Sequence, residues 1–430
     1  MKTKPSPISF CNLQSTPCNK HLVWILFLLL ACPLQAAEVQ EQVDVGIMEV
    51  WLKVTDKQGR LITDLTSNEV QLFIVGNRVD LRCFEKSFST GASEEQTNPD
   101  AGRKYVFFFD MYNTLPGDME FLKLSIRRFL VDSFGPNDQA MIFALTSTAH
   151  LGIVQHMTSD RDRLISVIRK MKGNISLATA LERNEKELLY LLYPADTTRD
   201  DNPAAKRGVG PRPMDTLHTA QMLARDFAAQ EENRSRFTLS AFTSIGQHLA
   251  ERSVNGNVAL IYVSGGFPIR PGEHYFDLVQ RQIDDRFTGR PDFAMVDRPR
   301  FDFLQDLKRT IGNLNRMNVT IYSLDAKGLL LNARGSDRND VQSAHGMNIL
   351  SRNYQLQDSL VHLAQETGGL AFINSQQYGK GLAEIARDMN EQYLICGNLQ
   401  PSETKGKYHE IKVKVSRPGV KVRHRQGYVD

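Results

Sequence analysis

Apolar and polar positions alternate along residues 43–85, where Gly46, Met48, Val50, Leu52 and Val54 put a small or apolar residue at every second place. A period of two predicts a half-buried strand. Asp56-Lys57-Gln58-Gly59 and Gly76-Asn77 read as turns. Residues 70–75 and 79–84 then read as further strands of a small β module. From about Arg103 the pattern changes. Tyr105-Val106-Phe107-Phe108-Phe109 is continuously apolar, as in a strand covered on both faces. Leu122, Ile126, Phe129 and Leu130 have the spacing of one buried helical face. Residues 141–145 and 153–156 read as strands, and 160–171 as a helix whose first turn Asp160 can cap. Helices are predicted at 238–249, 302–316 and 359–366, and strands at 258–263, 319–324 and 370–373.

Strands alternating with helices imply an α/β domain with a doubly wound, mostly parallel sheet. After Gln392 the period returns to two: Ile411, Val413 and Val415 alternate with Lys412, Lys414 and Ser416, as do Val420 and Val422 with Lys421 and Arg423. The economical architecture is a small β-sandwich built from both ends of the chain, residues 38–100 and 392–430, with the α/β domain of 101–391 inserted between. Three stretches interrupt the alternation, at 194–213, 267–300 and 329–355. The first is polar and reads as a loop. The other two follow the strands ending at Val263 and Leu324, so they leave the carboxyl ends of parallel strands, where open α/β sheets place binding sites.

Composition changes the picture mainly at the start. With 41% hydrophobic and 23% charged residues, the chain of 430 is globular rather than disordered. A net charge of +3 gives no reason to expect nucleic acid as partner. Lys2, Lys4 and Lys20 precede an apolar run of about ten residues ending at Ala31, too short to span a bilayer but suited to a secretory signal. Residues 1–37 are therefore expected to direct export, with cleavage after Ala36-Ala37. Leu29-Leu30-Ala31-Cys32 also resembles a lipobox, which would lipidate Cys32 and tie the chain to a membrane by lipid, and an uncleaved anchor is the third reading. In each case Cys83 and Cys396 remain in an oxidising compartment, as a disulfide or as two buried thiols.

Several segments together resemble the VWFA-related, von Willebrand factor A-like (VWA) family of exported bacterial proteins, typified by acidobacterial members. They are Asp64-Leu65-Thr66, the stretch from Tyr105 to Thr114, that from Asn257 to Gly266, NVTIYSLDAKG from Asn318, and VKVRHRQGY from Val420. The resemblance covers nearly all of the chain after the signal. It implies a VWA-like fold and a metal-ion-dependent adhesion site, in which a DxSxS loop and oxygens from later strand ends surround Mg²⁺. Transferred to this chain, the first loop is Asp110-Met111-Tyr112-Asn113-Thr114, with Tyr112 at the first serine position. Thr238 stands for the second-loop threonine, and Gly265 takes the place of an aspartate after Ser264. The resemblance thus implies a degenerate site, with no cofactor or with Mg²⁺ held by Asp110, Thr114 and Thr238. Asp325, at another strand end, supplies a further oxygen or shapes the turn before Gly328.

Other chemistry finds little support. Tyr262-Val263-Ser264-Gly265-Gly266 is half of a nucleophile elbow, lacking its first glycine. The histidines form no HExxH, and there is no phosphate-binding GxxxxGK[ST] loop. Lys405, Lys407, Lys412, Lys414, Arg417, Lys421, Arg423 and Arg425 make the last strands basic, as a solvated sheet face or as an attraction to anionic envelope polymers. The expectation is an exported, non-enzymatic protein-binding, adhesion or scaffold module of the periplasm, outer envelope or exterior. Its partner, a protein or another envelope macromolecule, would meet Asp110, Tyr112, Asn113, Thr114, Thr238, Ser264, Gly265 and Asp325. The alternatives are an envelope hydrolase using the same cleft and a purely structural component.

Overall fold

The computed structural model describes residues 47–88, 102–146, 148–171, 177–192, 213–254, 256–286, 303–328, 344–399 and 406–430. The expected signal, Cys32 and the cleavage point lie outside the described residues. So do 194–212, 287–300 and 329–343 of the three interrupting stretches.

The alternation at the start forms β1 (Ile47–Thr55), with Met48, Val50, Leu52 and Val54 buried. β2 (Val70–Ile74), β3 (Asn77–Val79) and β4 (Leu81–Lys86) follow. From the other end come β11 (Tyr393–Asn398), β12 (Tyr408–Val415), β13 (Lys421–His424) and β14 (Gly427–Val429). These eight strands make two antiparallel four-stranded sheets, ordered β13-β1-β11-β4 and β14-β12-β2-β3. Val50, Leu52, Leu72, Ile395 and Ile411 of the two sheets share one apolar cluster. Cys83 on β4 lies opposite Cys396 on β11, and the two are joined in a disulfide.

Between these segments lies a six-stranded sheet of order β10-β9-β8-β5-β6-β7. Its strands are β5 (Lys104–Asp110), β6 (Gln139–Leu145), β7 (Leu151–Thr158), β8 (Val258–Ser264), β9 (Val319–Asp325) and β10 (Ala371–Phe372). All pairs are parallel except β6 with β7. Helices cover both faces, which explains the unbroken apolar run of β5. Tyr105, Phe107 and Phe109 face α1 (Pro116–Asp132), α2 (Arg161–Lys170) and α8 (Tyr378–Asn390). Val106 and Phe108 face α4 (Pro213–Glu251), α6 (Phe303–Arg316) and α7 (Ala344–Thr367). Asp160 caps α2, its side chain accepting from Arg163 N.

Three expectations need correction. The helix predicted at 238–249 is the last third of α4, a helix of 39 residues. Its earlier half was overlooked because Leu217, Ala220, Ala224 and Phe227 face other helices, not the sheet. They pack with α3 (Leu177–Leu192) and α5 (Glu273–Arg286) in a separate cluster. The stretches 267–300 and 329–355 are likewise partly helical, containing α5 and the start of α7. The basic C-terminal residues do not form one solvated face. Lys412, Lys414 and Lys421 are exposed, but Arg425 is buried and Arg423 pairs with buried Asp388.

The antiparallel sheets dock at the amino edge of the parallel sheet. Asn315, just before β9, donates to Gly427 O at 2.7 Å, and Asn257, before β8, donates to the Gln392 side chain at 2.6 Å. Buried Asp388 of α8 receives Lys53 of β1 at 3.0 Å, Arg423 of β13 and the Tyr322 hydroxyl at 2.6 Å. The carboxyl edge is left to the helices and their connections.

Candidate functional site

The strand order reverses direction at β5, whose neighbours are β6 and β8. A doubly wound sheet has its switch point at such a place, with a crevice beyond the strand ends. Asp110 ends β5, Ser264 ends β8, and Asp325 ends β9 directly beside Ser264. The register therefore gathers the three polar strand ends on one edge.

Asp110 is fully buried and accepts four hydrogen bonds. Its Oδ1 takes the Asn113 amide at 3.0 Å. Its Oδ2 takes Asn113 Nδ2 at 2.5 Å, the Tyr262 hydroxyl at 2.6 Å and the Ser264 hydroxyl at 2.9 Å. Burial raises the Asp110 pKa above the usual carboxylate value, against the pull of these donors toward the ionised form. Asn113 Nδ2 also donates to Thr238 Oγ1 at 2.8 Å, and its Oδ1 accepts from Arg234 Nε. The Thr238 hydroxyl itself donates a hydrogen bond to the Arg234 carbonyl at 3.2 Å, one turn back in α4. Thr114 Oγ1 accepts from Gly265 N at 3.0 Å, and Ser264 Oγ accepts from Gly266 N at 3.0 Å.

The glycine at 265 has a local reason. A Cβ there would lie 2.5 Å from the Asn113 carbonyl oxygen, so an aspartate cannot enter without moving the first loop. Gly266 has φ +81°, and its Cβ would meet the Leu356 carbonyl at 2.1 Å. Both neighbours are backbone, so neither can yield as a flexible side chain would.

Asp325 is held apart from Asp110. Its Oδ1 accepts the Lys327 amide at 3.0 Å and its Oδ2 the Gln357 side chain at 2.8 Å. Tyr112 is nearly buried and stacks edge-on against Phe237 of α4. Asp110, Asn113, Thr114, Thr238, Ser264 and Gly265 thus form one hydrogen-bonded cluster, with Tyr112 and Asp325 at its margins. All eight are inaccessible to solvent or nearly so. The accessible surface beside them is built from other residues. Phe237 is 48% exposed and Leu304 of α6 45% exposed, on helices tied together by the Arg236–Asp306 ion pair at 2.6 Å.

Sequence reading missed Tyr262, Glu231, Arg234 and Arg352. Glu231, Arg234 and Thr238 repeat at helical spacing on one face of α4, and that spacing was the available signal. Arg234 is 2% exposed, and burial lowers its pKa against the opposing effect of Glu231 and Asp110.

The oxygens expected to hold Mg²⁺ do not fit that ion as they stand. Every one of them faces a hydrogen: Asp110 has four donors, Thr114 Oγ1 has Gly265 N, and Thr238 Oγ1 has Asn113 Nδ2. Among the described residues no group of three or more histidine, cysteine, aspartate or glutamate side chains is placed to hold a metal. The Ser264 hydroxyl donates to a carboxylate, and no histidine is among its hydrogen-bond partners in the described residues.

No protein-family model matches the chain, and no curated protein matches it. Among solved structures it is similar to an aerotolerance-related membrane protein from Bacteroides fragilis NCTC 9343, at 12% identity and TM-score 0.26, over 67% of this chain and 99% of that one. It is also similar to proximal thread matrix protein 1 of the mussel byssus with a zinc-occupied MIDAS motif, at 11% identity and TM-score 0.29, over 70% of this chain and 48% of that one. A third likeness is to three N-terminal domains of the type V pili tip protein Mfa5 from Porphyromonas gingivalis, at 9% identity and TM-score 0.30, over 90% of this chain and 68% of that one. At these scores the likenesses assign neither a fold nor a function to this chain. No helix among the described residues is long and apolar enough to cross a membrane.

Proposed function

We propose that the chain is an exported, VWA-like binding or scaffold module of the cell envelope that acts without catalysis. It recognises a protein or another envelope macromolecule over the carboxyl edge of its parallel sheet, around a degenerate adhesion site. The observation that carries this reading is the gathering of Asp110, Asn113, Thr114, Thr238, Ser264 and Gly265 at the switch point, with an exposed aromatic and an exposed leucine beside them. The buried cluster fixes the loops, and Phe237 and Leu304 supply apolar contact area at the rim. Aromatic side chains are favoured interface anchors because they offer much area for little entropy.

The test is retention of envelope components on the immobilised chain. Wild type and Val75→Ala are expected to retain the same macromolecule, and Phe237→Ala/Leu304→Ala to lose it. Equal retention by all three would contradict the reading. A screen of ester and peptide substrates runs beside it, and turnover abolished by Ser264→Ala would establish the hydrolase instead.

A further inference from the structure

Arg234 is a buried charged group of the edge whose presence the binding reading does not explain. Its guanidinium lies inside the protein, 2% exposed, and its Nη1 has no hydrogen-bond partner among the described residues. A buried cation is costly unless negative charge surrounds it. Two carboxylates do so. Glu231 lies one turn away on the same face of α4, its Oε2 fixed by the Gly272 amide at 2.9 Å and its Oε1 3.9 Å from Arg352 Nη2. Asp110 lies on the other side, joined to Arg234 through a single residue. Asn113 accepts from Arg234 Nε with its side-chain oxygen and donates to Asp110 and Thr238 with its side-chain nitrogen. Asp110 for its part is a buried acceptor among neutral donors, and ionised it needs a positive charge nearby.

We infer that the Arg234 guanidinium supplies, from within the fold, the positive charge that a divalent cation would otherwise bring to Asp110. The site is therefore independent of metal by construction, whatever docks over it. The inference has a further consequence. Truncating Arg234 takes that charge from Asp110, whereas Glu231 keeps Arg352, and it frees Asn113 Oδ1 in a cluster that also holds the hydroxyl oxygens of Thr238 and Ser264. Oxygen donors with excess negative charge are what Mg²⁺ and Mn²⁺ require. Arg234→Ala should thus acquire a divalent-cation site that the native chain lacks.

The experiment is Mn²⁺ titration of the full chain, read by the electron paramagnetic resonance of free ion and by the thermal midpoint. Wild type is expected to bind no Mn²⁺ that depends on Asp110, and its midpoint to stay unchanged. Arg234→Ala is expected to bind one equivalent and to gain several degrees at saturating ion. Arg234→Ala/Asp110→Asn is expected to bind none. One Mn²⁺ bound by wild type and lost in Asp110→Asn overturns the inference, as does a folded Arg234→Ala that binds none. If Arg234→Ala fails to fold without ion, recovery with Mn²⁺ or by adding Asp110→Asn supports the charge pairing. Failure to recover with either overturns it.

Discussion

Asp110 is held by opposing forces: burial works against its charge, and four donors work for it. The net effect is a raised pKa, so the native state binds this proton more tightly than the unfolded chain does. Stability from this group is present at acid pH and falls as pH rises from the ordinary carboxylate value to the raised one. Denaturant unfolding of wild type and Asp110→Asn at intervals from acid to neutral pH checks this. Wild type is expected to lose stability relative to the variant as pH rises, and parallel curves would contradict it. Gly265→Ala presses a methyl group onto the Asn113 carbonyl and is expected to cost about 1–3 kcal/mol in the same assay. Asp110, Ser264 and Asp325 stand where apolar strand patterns end, whereas Thr114, four residues past its strand, was singled out only by the family resemblance. Arg234 was not legible. It sits in the run Glu231-Glu232-Asn233-Arg234-Ser235-Arg236, which by composition reads as a solvated surface, and only the packing of α4 against the first loop and α7 buries it.

At the scale of elements, the antiparallel strands were readable from their period of two and the parallel ones from unbroken apolar runs. Helices that pack chiefly on other helices were not. α8 does pack on the sheet, with a clean apolar face in Tyr378, Leu382, Ile385, Ala386 and Met389, but Gly379 and Gly381 lower its intrinsic helix propensity and hid it. α3 and α5 form their core with the first half of α4, away from the parallel sheet. Where caps were read, they can be measured: Asp160→Ala removes the acceptor for Arg163 N and is expected to cost about 1 kcal/mol. The turn carrying Asp64-Leu65-Thr66 has an electrostatic tie to the other end of the chain. Arg417 contacts Glu69 at 2.9 Å and Asp64 at 2.5 Å, and with the Thr66 bonds it lowers the Glu69 pKa to about 2. That contribution is present above the ordinary glutamate value and disappears as pH falls toward 2. Arg417→Gln is therefore expected to be less stable than wild type at neutral pH, with the gap closing below about pH 4. A gap that widens on acidification would contradict the tie.

At the scale of the whole molecule, the two chain ends build the sheets that close the amino edge, and Asp388 is the hub of that closure. Lys53, Arg423 and Tyr322 all converge on its buried carboxylate. Asp388→Ala leaves Lys53 with Glu391 alone and Arg423 without a carboxylate, and is expected to destabilise by about 1–3 kcal/mol, read by thermal or denaturant unfolding. The shared period of two marked both ends as half-buried strands, and their pairing was an inference from economy. Which edge they cover was not legible, since that is decided by single contacts such as Asn315 to Gly427. With the amino edge covered by the antiparallel sheets, the proposed recognition falls to the carboxyl edge. The most direct test is a photo-crosslinking residue placed at Phe237, Leu304, Val75 or Val131, one at a time, in the full chain within cells that make it. Adducts to one envelope macromolecule from positions 237 and 304, and none from 75 or 131, are expected. Adducts from the latter pair alone, or from all four alike, would contradict a binding edge at the strand carboxyl ends.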